Sequence, residues 1–206
     1  MHKEILNPQQ LELLPFIRQF QKEFYLVGGT AIALYIGHRR SIDFDLFKIK
    51  PIKPKSIIER ISTSGYKYIV TRRVSEQLNV NINNVKFTFY QYPFKIDASN
   101  SFDDYLKLPT LLDLAAMKAY ALGKRSKWKD YVDMYFLLKD HFSIEEISER
   151  AEQIFEQLFS GKLFRVQLSY FDDIDYSEPV EFMVPEVPDK LIKEFLINRA
   201  IDIFKP

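Results

Sequence analysis

Two aspartates separated by one residue, Asp43 and Asp45, are the part of this sequence best suited to chemistry. They lie in the segment 42–47, where apolar and acidic residues alternate with the two-residue period of a β-strand. In a strand both carboxylates point to the same face, with Cα atoms roughly 6 to 7 Å apart. Mg²⁺ or Mn²⁺ takes oxygen ligands, commonly one or two carboxylates plus the phosphates of a substrate. The pair therefore predicts a metal site that acts on a phosphorylated substrate, although such pairs also occur by chance on exposed strands.

A glycine pair upstream, Gly28-Gly29, predicts a turn that binds phosphate. It follows a short apolar run, 24–27, which is typical of a buried strand, and it precedes a helical segment with Thr30 as its cap and Gly37 as its end. Glycines let the backbone approach phosphates closely, and the N–H groups at a helix start favour anionic oxygens. The Thr30 hydroxyl can add a further contact.

The order of these features indicates one site rather than several unrelated ones. A buried strand, the glycine turn, a short helix, the basic loop 38–41 and the acidic strand follow each other directly. Each alone has an ordinary explanation as a turn or a solvated loop. Together they suit an in-line displacement at the α-phosphorus of a nucleotide, with metal ions stabilising the attacking and leaving oxygens.

The elements that must position this site fall into two parts, residues 1–104 and 105–206. The first part is predicted to be a small mixed sheet with helices, and the second to be mainly helical, which gives an α+β fold. In the first part we predict a helix with the buried stripe Leu11, Leu13, Leu14, Ile17 and Phe20, a helix at 56–64, strands at 66–72, 76–82 and 85–90, and a turn at Asn83-Asn84. In the second part we predict helices at 110–122, with Thr110 as its cap, 127–139, 143–159 and 189–204.

Composition sets further bounds on the function. The 206 residues carry 29 basic and 28 acidic side chains, a net charge of +1, so a polyanionic partner would need a local patch. The absence of cysteine excludes disulfides, thiolate zinc sites and cysteine nucleophiles. The chain begins without a signal peptide and lacks the roughly 18 to 20 apolar residues that cross a bilayer, so we expect a soluble cytoplasmic protein that does not enter the membrane.

Two blocks of the sequence resemble a known family. The first block consists of Leu26-Val-Gly-Gly-Thr-Ala-Ile-Ala-Leu-Tyr35 and His38-Arg-Arg-Ser-Ile-Asp-Phe-Asp-Leu-Phe47. The second consists of Leu112-Asp-Leu-Ala-Ala-Met-Lys-Ala-Tyr-Ala121, Arg125 and Lys129-Asp-Tyr-Val-Asp-Met-Tyr-Phe-Leu-Leu138. Both are similar to motifs of the AbiEii/AbiGii nucleotidyltransferase toxins, which belong to the DNA polymerase β-like superfamily. A weaker likeness lies at 168–173, and the resemblance spans roughly residues 24 to 175.

The resemblance implies a polymerase β-like domain, magnesium, a nucleoside triphosphate and nucleotidyl transfer. Asp43 and Asp45 would be catalytic metal ligands. The nucleotide would be bound by Gly28, Gly29, Thr30, Arg40, Ser41 and Lys118. Lys118 would contact the triphosphate, and Asp130 and Asp133 on the following helix would complete the catalytic set.

Ordinary explanations stay open for the residues of the second block. Lys118 lies in an otherwise apolar helix, where a cation is not buried without an anionic partner; it would otherwise lie on the solvent side. Asp130 and Asp133 share one helix face, and either could instead form a salt bridge with Lys129, Arg125 or Lys127.

One feature of the superfamily is missing. Enzymes of this type that activate a hydroxyl usually place a third carboxylate on a later strand as a base, and the strand 85–90 offers Thr88 there. Asp97, Asp130 or Asp133 could take this role, and we favour an acid from the helical part. A second acidic group, Asp172, Asp173 and Asp175, is more typical of a solvated loop than of a metal site.

We therefore expect a nucleotidyltransferase, the toxin of a toxin–antitoxin pair, with a tRNA 3′ end or a protein hydroxyl as acceptor and a cognate antitoxin as partner. Basic residues that could hold RNA are Arg39, Arg40, Arg72, Arg73, Lys124, Arg125, Lys127 and Lys129. The alternatives are an enzyme of the same fold acting on a small molecule, as aminoglycoside nucleotidyltransferases do, and a degenerate member that binds nucleotide without turnover.

Overall fold

The computed structural model describes residues 1–202, and the chain divides into two compact units after Thr110. The predicted boundary, after residue 104, lies six residues earlier, between two short strands that the sequence pattern had not indicated. The second of these, Leu106–Leu108, pairs in parallel with Tyr25–Val27, so it belongs to the first unit. The end of the last predicted helix, at Phe204, lies outside the described residues.

The first unit is a mixed sheet with helices. Its strands are β1 (Tyr25–Val27), β2 (Asp43–Lys48), β3 (Tyr68–Arg73), β4 (Gln77–Ile82), β5 (Val85–Gln91), β6 (Asn100–Phe102) and β7 (Leu106–Leu108). Its helices are α1 (Pro8–Glu12), α2 (Leu14–Ile17), α3 (Gly28–Ile36) and α4 (Pro54–Thr63), with 3-10 turns at Lys3–Ile5 and Arg18–Phe20. Within the described part of the chain the seven strands follow the order β3-β4-β5-β2-β1-β7-β6. The strand β2 is therefore interior, antiparallel to β1 and parallel to β5.

The core of this unit is built from phenylalanines on one face of the sheet. The rings of Phe44 on β2 and Phe87 on β5 lie 5.2 Å apart. Phe89 lies 5.0 Å from Phe20, which closes the core from the helical side. Fully burying a phenylalanine is worth roughly 1.5 to 3 kcal/mol, so these contacts fix β2 firmly in the sheet.

The predicted hairpin turn is confirmed, and the predicted first helix is partly wrong. Asn83 and Asn84 have φ values of 48° and 65°, as a tight turn between β4 and β5 requires. The predicted helix over 11–20 is instead α1, α2 and a 3-10 turn, because Pro15 has no amide hydrogen to continue the first helix. Leu11 is consequently 43% exposed, whereas the other four members of its predicted stripe are buried.

The second unit is helical throughout the part that the structure describes. Its helices are α5 (Leu111–Leu122), α6 (Trp128–Asp140), α7 (Ile144–Phe155), α8 (Gly161–Leu168) and α9 (Asp189–Ile201), with a 3-10 turn at Glu156–Leu158. The capping box predicted at Ser143 is present at the start of α7. The helix α8 was not predicted. The mixed α+β fold with a helical C-terminal part is confirmed.

Two contacts hold α5 against α7. The rings of Tyr120 and Phe155 stack at 4.1 Å, and Arg150 Nε donates to Asp113 Oδ1 at 2.5 Å.

Among residues 1–202, none of the helices has the length and apolar character needed to span a bilayer.

Candidate active site

Asp43 and Asp45 share one face of β2. Phe44 and Leu46 between and after them are fully buried on the opposite face, whereas the two aspartates are half-buried. Because β2 is an interior strand, Asp45 lies between Val27 of β1 on one side and Thr88 of β5 on the other, and Asp43 pairs with Lys86 of β5. The structure thus presents the two acids side by side from a rigid part of the sheet.

Gly28 makes room for the carboxylate of Asp45. A Cβ atom built on Gly28 would clash with Asp45 Oδ2, and the φ of Gly28 is +73°, a conformation that residues with a side chain rarely adopt. The next residue, Gly29, has the guanidinium of Arg39 against its Cα and Ser41 Oγ within 3.2 Å of a built Cβ. The close approach and the positive φ favour glycine at position 28, which allows the Asp45 carboxylate to lie against the start of α3.

Thr30 joins α3 to the start of β2 through hydrogen bonds and does not cap the helix. The helix begins at Gly28, with Val27 as its N-cap, so the predicted capping role of Thr30 is wrong. Its buried hydroxyl lies 2.9 Å from Ser41 Oγ and donates to the backbone carbonyl of Asp43. Val27, the N-cap residue, forms no side-chain cap at the start of α3, and N–H groups without such a cap favour an anion.

The two arginines of the basic loop have different surroundings. Arg40 Nη1 donates to the backbone carbonyls of Ile5 and Leu6 at 3.4 and 3.3 Å, which ties it to the N-terminal segment. Arg39 is 2% exposed and lies against Gly29 at the start of α3, where its charge adds to that of the helix end. The predicted site included Arg40 and omitted Arg39; nothing in the sequence distinguished two adjacent arginines.

Thr88, the residue at which we looked for a third carboxylate, is a neighbour of Asp45 in the sheet. Thr88 lies opposite Asp45 in the parallel pairing of β2 and β5, and its other neighbour is Asn79 of β4. Asp97 lies in the irregular segment between β5 and β6. On the same side of Asp43, Lys86 Nζ approaches Asp43 Oδ2 at 3.8 Å, so an exposed cation already lies beside this acid.

The second unit contains a buried cluster of Lys118, Asp130 and Asp133. Lys118 Nζ lies 2.6 Å from Asp130 Oδ1 and 2.8 Å from Asp133 Oδ2, and all three residues are at most 5% exposed. Arg125 Nε donates to the other oxygen of Asp130 at 2.8 Å. Burial raises the pKa of Asp130, but the charges of Lys118 and Arg125 outweigh this and hold that pKa below its usual range. The solvent-side alternative for Lys118 is therefore wrong, and its anionic partners are these two aspartates.

The other charged residues of this region form separate contacts. Lys127 and Lys129 both pair with Glu178, so of the three bases proposed as alternatives only Arg125 binds Asp130. The acids Asp172, Asp173 and Asp175 are exposed; Asp173 accepts from Ser126 Oγ at 2.8 Å and Asp175 from the Ser177 N–H at 2.8 Å. These contacts are those of an anchored loop.

The donors around Asp43 and Asp45 fit a hard divalent cation. The donors are carboxylate oxygens on one face of β2. Because Gly28 has no side chain, the Asp45 carboxylate has room beside the start of α3. Within residues 1–202, no group of three His, Cys, Asp or Glu side chains is arranged to hold a metal ion. Mg²⁺ sites that share a substrate commonly use only one or two carboxylates, so the pair suffices for that kind of site.

Solved structures share the fold of this chain. MenT4, a nucleotidyltransferase toxin from Mycobacterium tuberculosis H37Rv, has a TM-score of 0.62 over 96% of this chain and 83% of its own, at 11% identity. JHP933 from Helicobacter pylori has a TM-score of 0.58 over 96% of this chain and 93% of its own, at 18% identity. At these identities the likeness defines the fold, which is that of the nucleotidyltransferases.

Comparison of the sequence identifies the family of the chain more specifically than the fold does. Residues 16–108 and 95–200 match the family described as nucleotidyl transferase AbiEii toxin, type IV toxin–antitoxin system, and the chain belongs to that family. An uncharacterised protein of Aquifex aeolicus (strain VF5) is 30% identical over 189 residues, which covers 85% of this chain and 89% of that protein. The predicted family and the predicted enzyme class, a nucleotidyltransferase, are confirmed.

Proposed function

We propose that this protein transfers a nucleoside monophosphate from a nucleoside triphosphate to a hydroxyl of a tRNA 3′ end or of a protein, and that it acts as a toxin. The observation that carries the proposal is the placement of Asp43 and Asp45 beside the uncapped start of α3, with Gly28 making the close approach possible. Family membership supports the reaction class and a cognate antitoxin as partner. The acceptor is inferred from the family resemblance.

In this proposal Asp43 and Asp45 hold the divalent metal. Such a metal, when bound, supplies positive charge that stabilises the attacking and leaving oxygens of the displacement. The backbone N–H groups at the start of α3 bind phosphate oxygens, and Arg39 strengthens the positive potential there. Thr30 and Ser41 keep the start of α3 and the start of β2 in a fixed relation, so they position the acids and are not themselves expected to bind phosphate.

Asp130 and Asp133 are assigned a different role from the one that we first favoured, which was activation of the acceptor. A carboxylate that is ion-paired on both oxygens and has a lowered pKa is a weak base, which describes Asp130. We therefore assign Asp130 and Asp133 the positioning of Lys118 rather than activation of the acceptor. The contact of Lys118 with the triphosphate stays a prediction.

The proposal is tested by label transfer. The purified protein is incubated with Mg²⁺ and each α-labelled nucleoside triphosphate, with total tRNA or cell lysate as acceptor. Asp43→Asn and Asp45→Asn keep the side-chain shape but remove the charge, and each is expected to reduce transfer by more than the roughly 10- to 100-fold that loss of a mere supporting group costs at a metal site. Asp172→Asn, an exposed acid in the second unit, is the matched control and is expected to retain full transfer.

Two outcomes would contradict the proposal. One is transfer that persists in both Asp43→Asn and Asp45→Asn while their folding is unchanged. The other is label that appears only on an added small-molecule hydroxyl, such as an aminoglycoside, and never on RNA or protein.

A further inference from the structure

The face of the sheet that carries Asp43 and Asp45 continues across β5 and β4 to the edge strand β3. Residues that pair directly across neighbouring strands have their side chains on the same face. Asp45 pairs with Thr88 of β5, which pairs with Asn79 of β4. Asn79 pairs in turn with Arg72 of β3. Arg72 therefore lies on the face of the two acids, with its Cα atom about 14 Å from that of Asp45, which is three strand spacings.

The two faces of these strands differ in character. Phe44 and Phe87 pair on the opposite face and are fully buried. Arg60 of α4 lies over the ring of Phe20, which packs against Phe89 of β5, so α4 packs on that opposite face. On β4 and β5 the acid-bearing face carries polar side chains that are half-buried or exposed, namely Gln77, Asn79, Asn81, Lys86, Thr88 and Tyr90.

The charges on this part of the acid-bearing face are positive. The strands β3, β4 and β5 contain no acidic residue. Lys86 is exposed, and Asp43, at 3.8 Å, is the acid with which it pairs among residues 1–202. Arg72 is exposed and forms no ion pair within the same residues; its charge lowers the pKa of Glu76 only after the hydrogen bonds of Ser75 and of the Glu76 backbone.

Asn79 lies between β5 and Arg72 and adds hydrogen-bond donors to the two cations. Its amide oxygen already accepts from Gln77 Nε2 at 2.9 Å, so Asn79 offers a ligand mainly its two N–H groups. An ammonium, an amide NH2 group and a guanidinium on one face suit a ligand that carries more than one anionic oxygen.

This surface lies on the side of β2 from which an acceptor enters. In the proposed function the nucleotide phosphates bind at the start of α3, which follows β1, and β1 and β5 flank Asp45 on opposite sides. The attacking and leaving oxygens of a phosphoryl transfer lie roughly in line, on opposite sides of the phosphorus. With the leaving phosphates toward α3, the attacking hydroxyl comes from the side of β5. A ligand bound over β5 and β4 is therefore the acceptor and not the nucleotide.

We propose that Lys86, Asn79 and Arg72 bind the phosphates of the acceptor, and that the acceptor is the 3′ end of an RNA strand rather than a protein; this inference rests on the proposed function. A divalent metal ion on Asp43 repels the ammonium of Lys86, which then pairs with another anion. The phosphodiester next to a terminal 3′ hydroxyl is such an anion, held at a short distance from the reacting oxygen. A serine or threonine hydroxyl has no charge built in beside it.

The separation of the two cations also favours a nucleic acid strand. Arg72 lies two strands beyond Lys86, which is about 10 Å across the sheet, so one ligand must carry charges at separate points. A phosphodiester backbone repeats its charge at every nucleotide, whatever the sequence. An aminoglycoside is a polycation and would be repelled by the same two side chains.

The first test is the binding of a single-stranded RNA with a free 3′ hydroxyl, measured by fluorescence anisotropy at a fixed Mg²⁺ concentration, without nucleotide, over a range of monovalent salt. Lys86→Gln/Arg72→Gln is expected to weaken binding about tenfold and to lower the slope of log affinity against log salt by about 1.4, because two phosphate contacts are lost. Lys86→Arg/Arg72→Lys keeps both charges and is expected to restore both values.

The matched control is Lys55→Gln/Arg73→Gln, which removes the same two types of charge from exposed positions of the same unit. Arg73 follows Arg72 in β3 but pairs with Leu78, whose buried side chain is on the opposite face, and Lys55 lies on α4. This control is expected to bind RNA as the wild type does.

The second test asks whether the bound RNA is the acceptor. Label transfer is compared between this RNA and the same RNA with a neutral methylphosphonate in place of its last phosphodiester. Lys86→Gln is expected to lower kcat/KM about tenfold for the unmodified RNA and to have little effect on the modified RNA, where the contact is already absent.

The inference is overturned if Lys86→Gln/Arg72→Gln keeps the wild-type salt slope, if the control loses as much affinity, or if Lys86→Gln affects both RNAs equally. Label on protein alone would also overturn it and leave the proposed function intact, as would transfer to RNA that is insensitive to both cations. Failure of the proposed function has a different signature: RNA binding that depends on Lys86 and Arg72 without transfer of label to any acceptor.

Discussion

At the scale of single residues, Gly28 is the position where the backbone most directly controls the candidate active site. Its Cα lies against the carboxylate of Asp45 in a left-handed conformation, so any side chain there must displace the acid. The approach of the carboxylate to the start of α3 depends on this one missing methyl group. A small substitution at this residue should therefore affect catalysis far more than folding.

We predict that Gly28→Ala abolishes most of the transfer activity by moving the Asp45 carboxylate, and lowers the free energy of unfolding by about 1 to 2 kcal/mol because φ is positive. The measurements are label transfer and urea unfolding of the same preparation. Gly65→Ala is the control: Gly65 also has a positive φ, 79°, but a Cβ there meets nothing within 4 Å. If both variants lose activity equally, the cause is backbone strain rather than displacement of Asp45.

Lys118 allows a second prediction at the residue scale. Because it lies between two buried carboxylates, Lys118→Met leaves both acids without their shared cation, and loss of one partner of a buried ion pair costs about 3 to 5 kcal/mol. Trp128, the single tryptophan, is buried at the start of α6 and reports unfolding of this unit by fluorescence. Lys124→Met, at an exposed position, is the control. A loss below 1 kcal/mol in Lys118→Met would show that the cluster does not stabilise the unit.

At the scale of elements, α7 supports α5, the helix that carries Lys118. Its start is closed by a capping box, in which Ser143 and Glu146 each accept from the other's backbone N–H. We predict that Ser143→Ala lowers the free energy of unfolding by about 1 kcal/mol. Ser148→Ala in the same helix is the matched control, because Ser148 bonds to the Ile144 carbonyl one turn back and alanine is a better helix former. Equal losses in the two variants would contradict the role of the cap.

Several elements were predictable because a short sequence pattern determines them. The alternation in β2, the hairpin at Asn83-Asn84 and the capping box at Ser143 are local signals, and each appears where it was predicted. The strands β6 and β7 were missed because three-residue strands carry too little periodicity. In addition, β7 pairs with β1, which is distant in sequence, and β6 pairs with β7.

The candidate active site, like the fold, was predictable from the sequence only in part. Asp43, Asp45 and the glycine turn could be predicted because strand geometry and chain order place them together. Other features depend on how side chains pack in the folded protein. They are the hydrogen bonds of Thr30 with Ser41 and Asp43, the burial of Arg39, and the pairing of Lys118 with two aspartates. A single sequence does not show how side chains pack. Arg39 and Arg40, for example, are adjacent and of the same type, but Arg39 is buried and Arg40 is half-buried.

At the scale of the whole molecule, acidic residues in both units depend on nearby cations. Burial raises the pKa of Glu23, but Arg60 and Lys48 bring it below the usual value, and Asp130 is lowered in the same way by Lys118 and Arg125. The hydrogen bond from Lys127 lowers the pKa of Glu178. Each of these groups therefore binds a proton less readily in the folded chain than in the unfolded chain.

This arrangement predicts loss of stability in acid. Groups with lowered pKa contribute stability that is fully present above their unfolded pKa, about 4, and that is lost as the pH falls toward the folded value. We expect the urea midpoint to be constant from about pH 6 down to about pH 5 and then to fall steadily. Unfolding followed at a series of pH values by Trp128 fluorescence measures this for the second unit. In Lys118→Met the fall should be shallower, because Asp130 loses a cation that holds its pKa below the usual range. A midpoint that rises in acid in the wild type, or an equally steep fall in Lys118→Met, would show that the cluster around Lys118 does not control the acid stability of this unit.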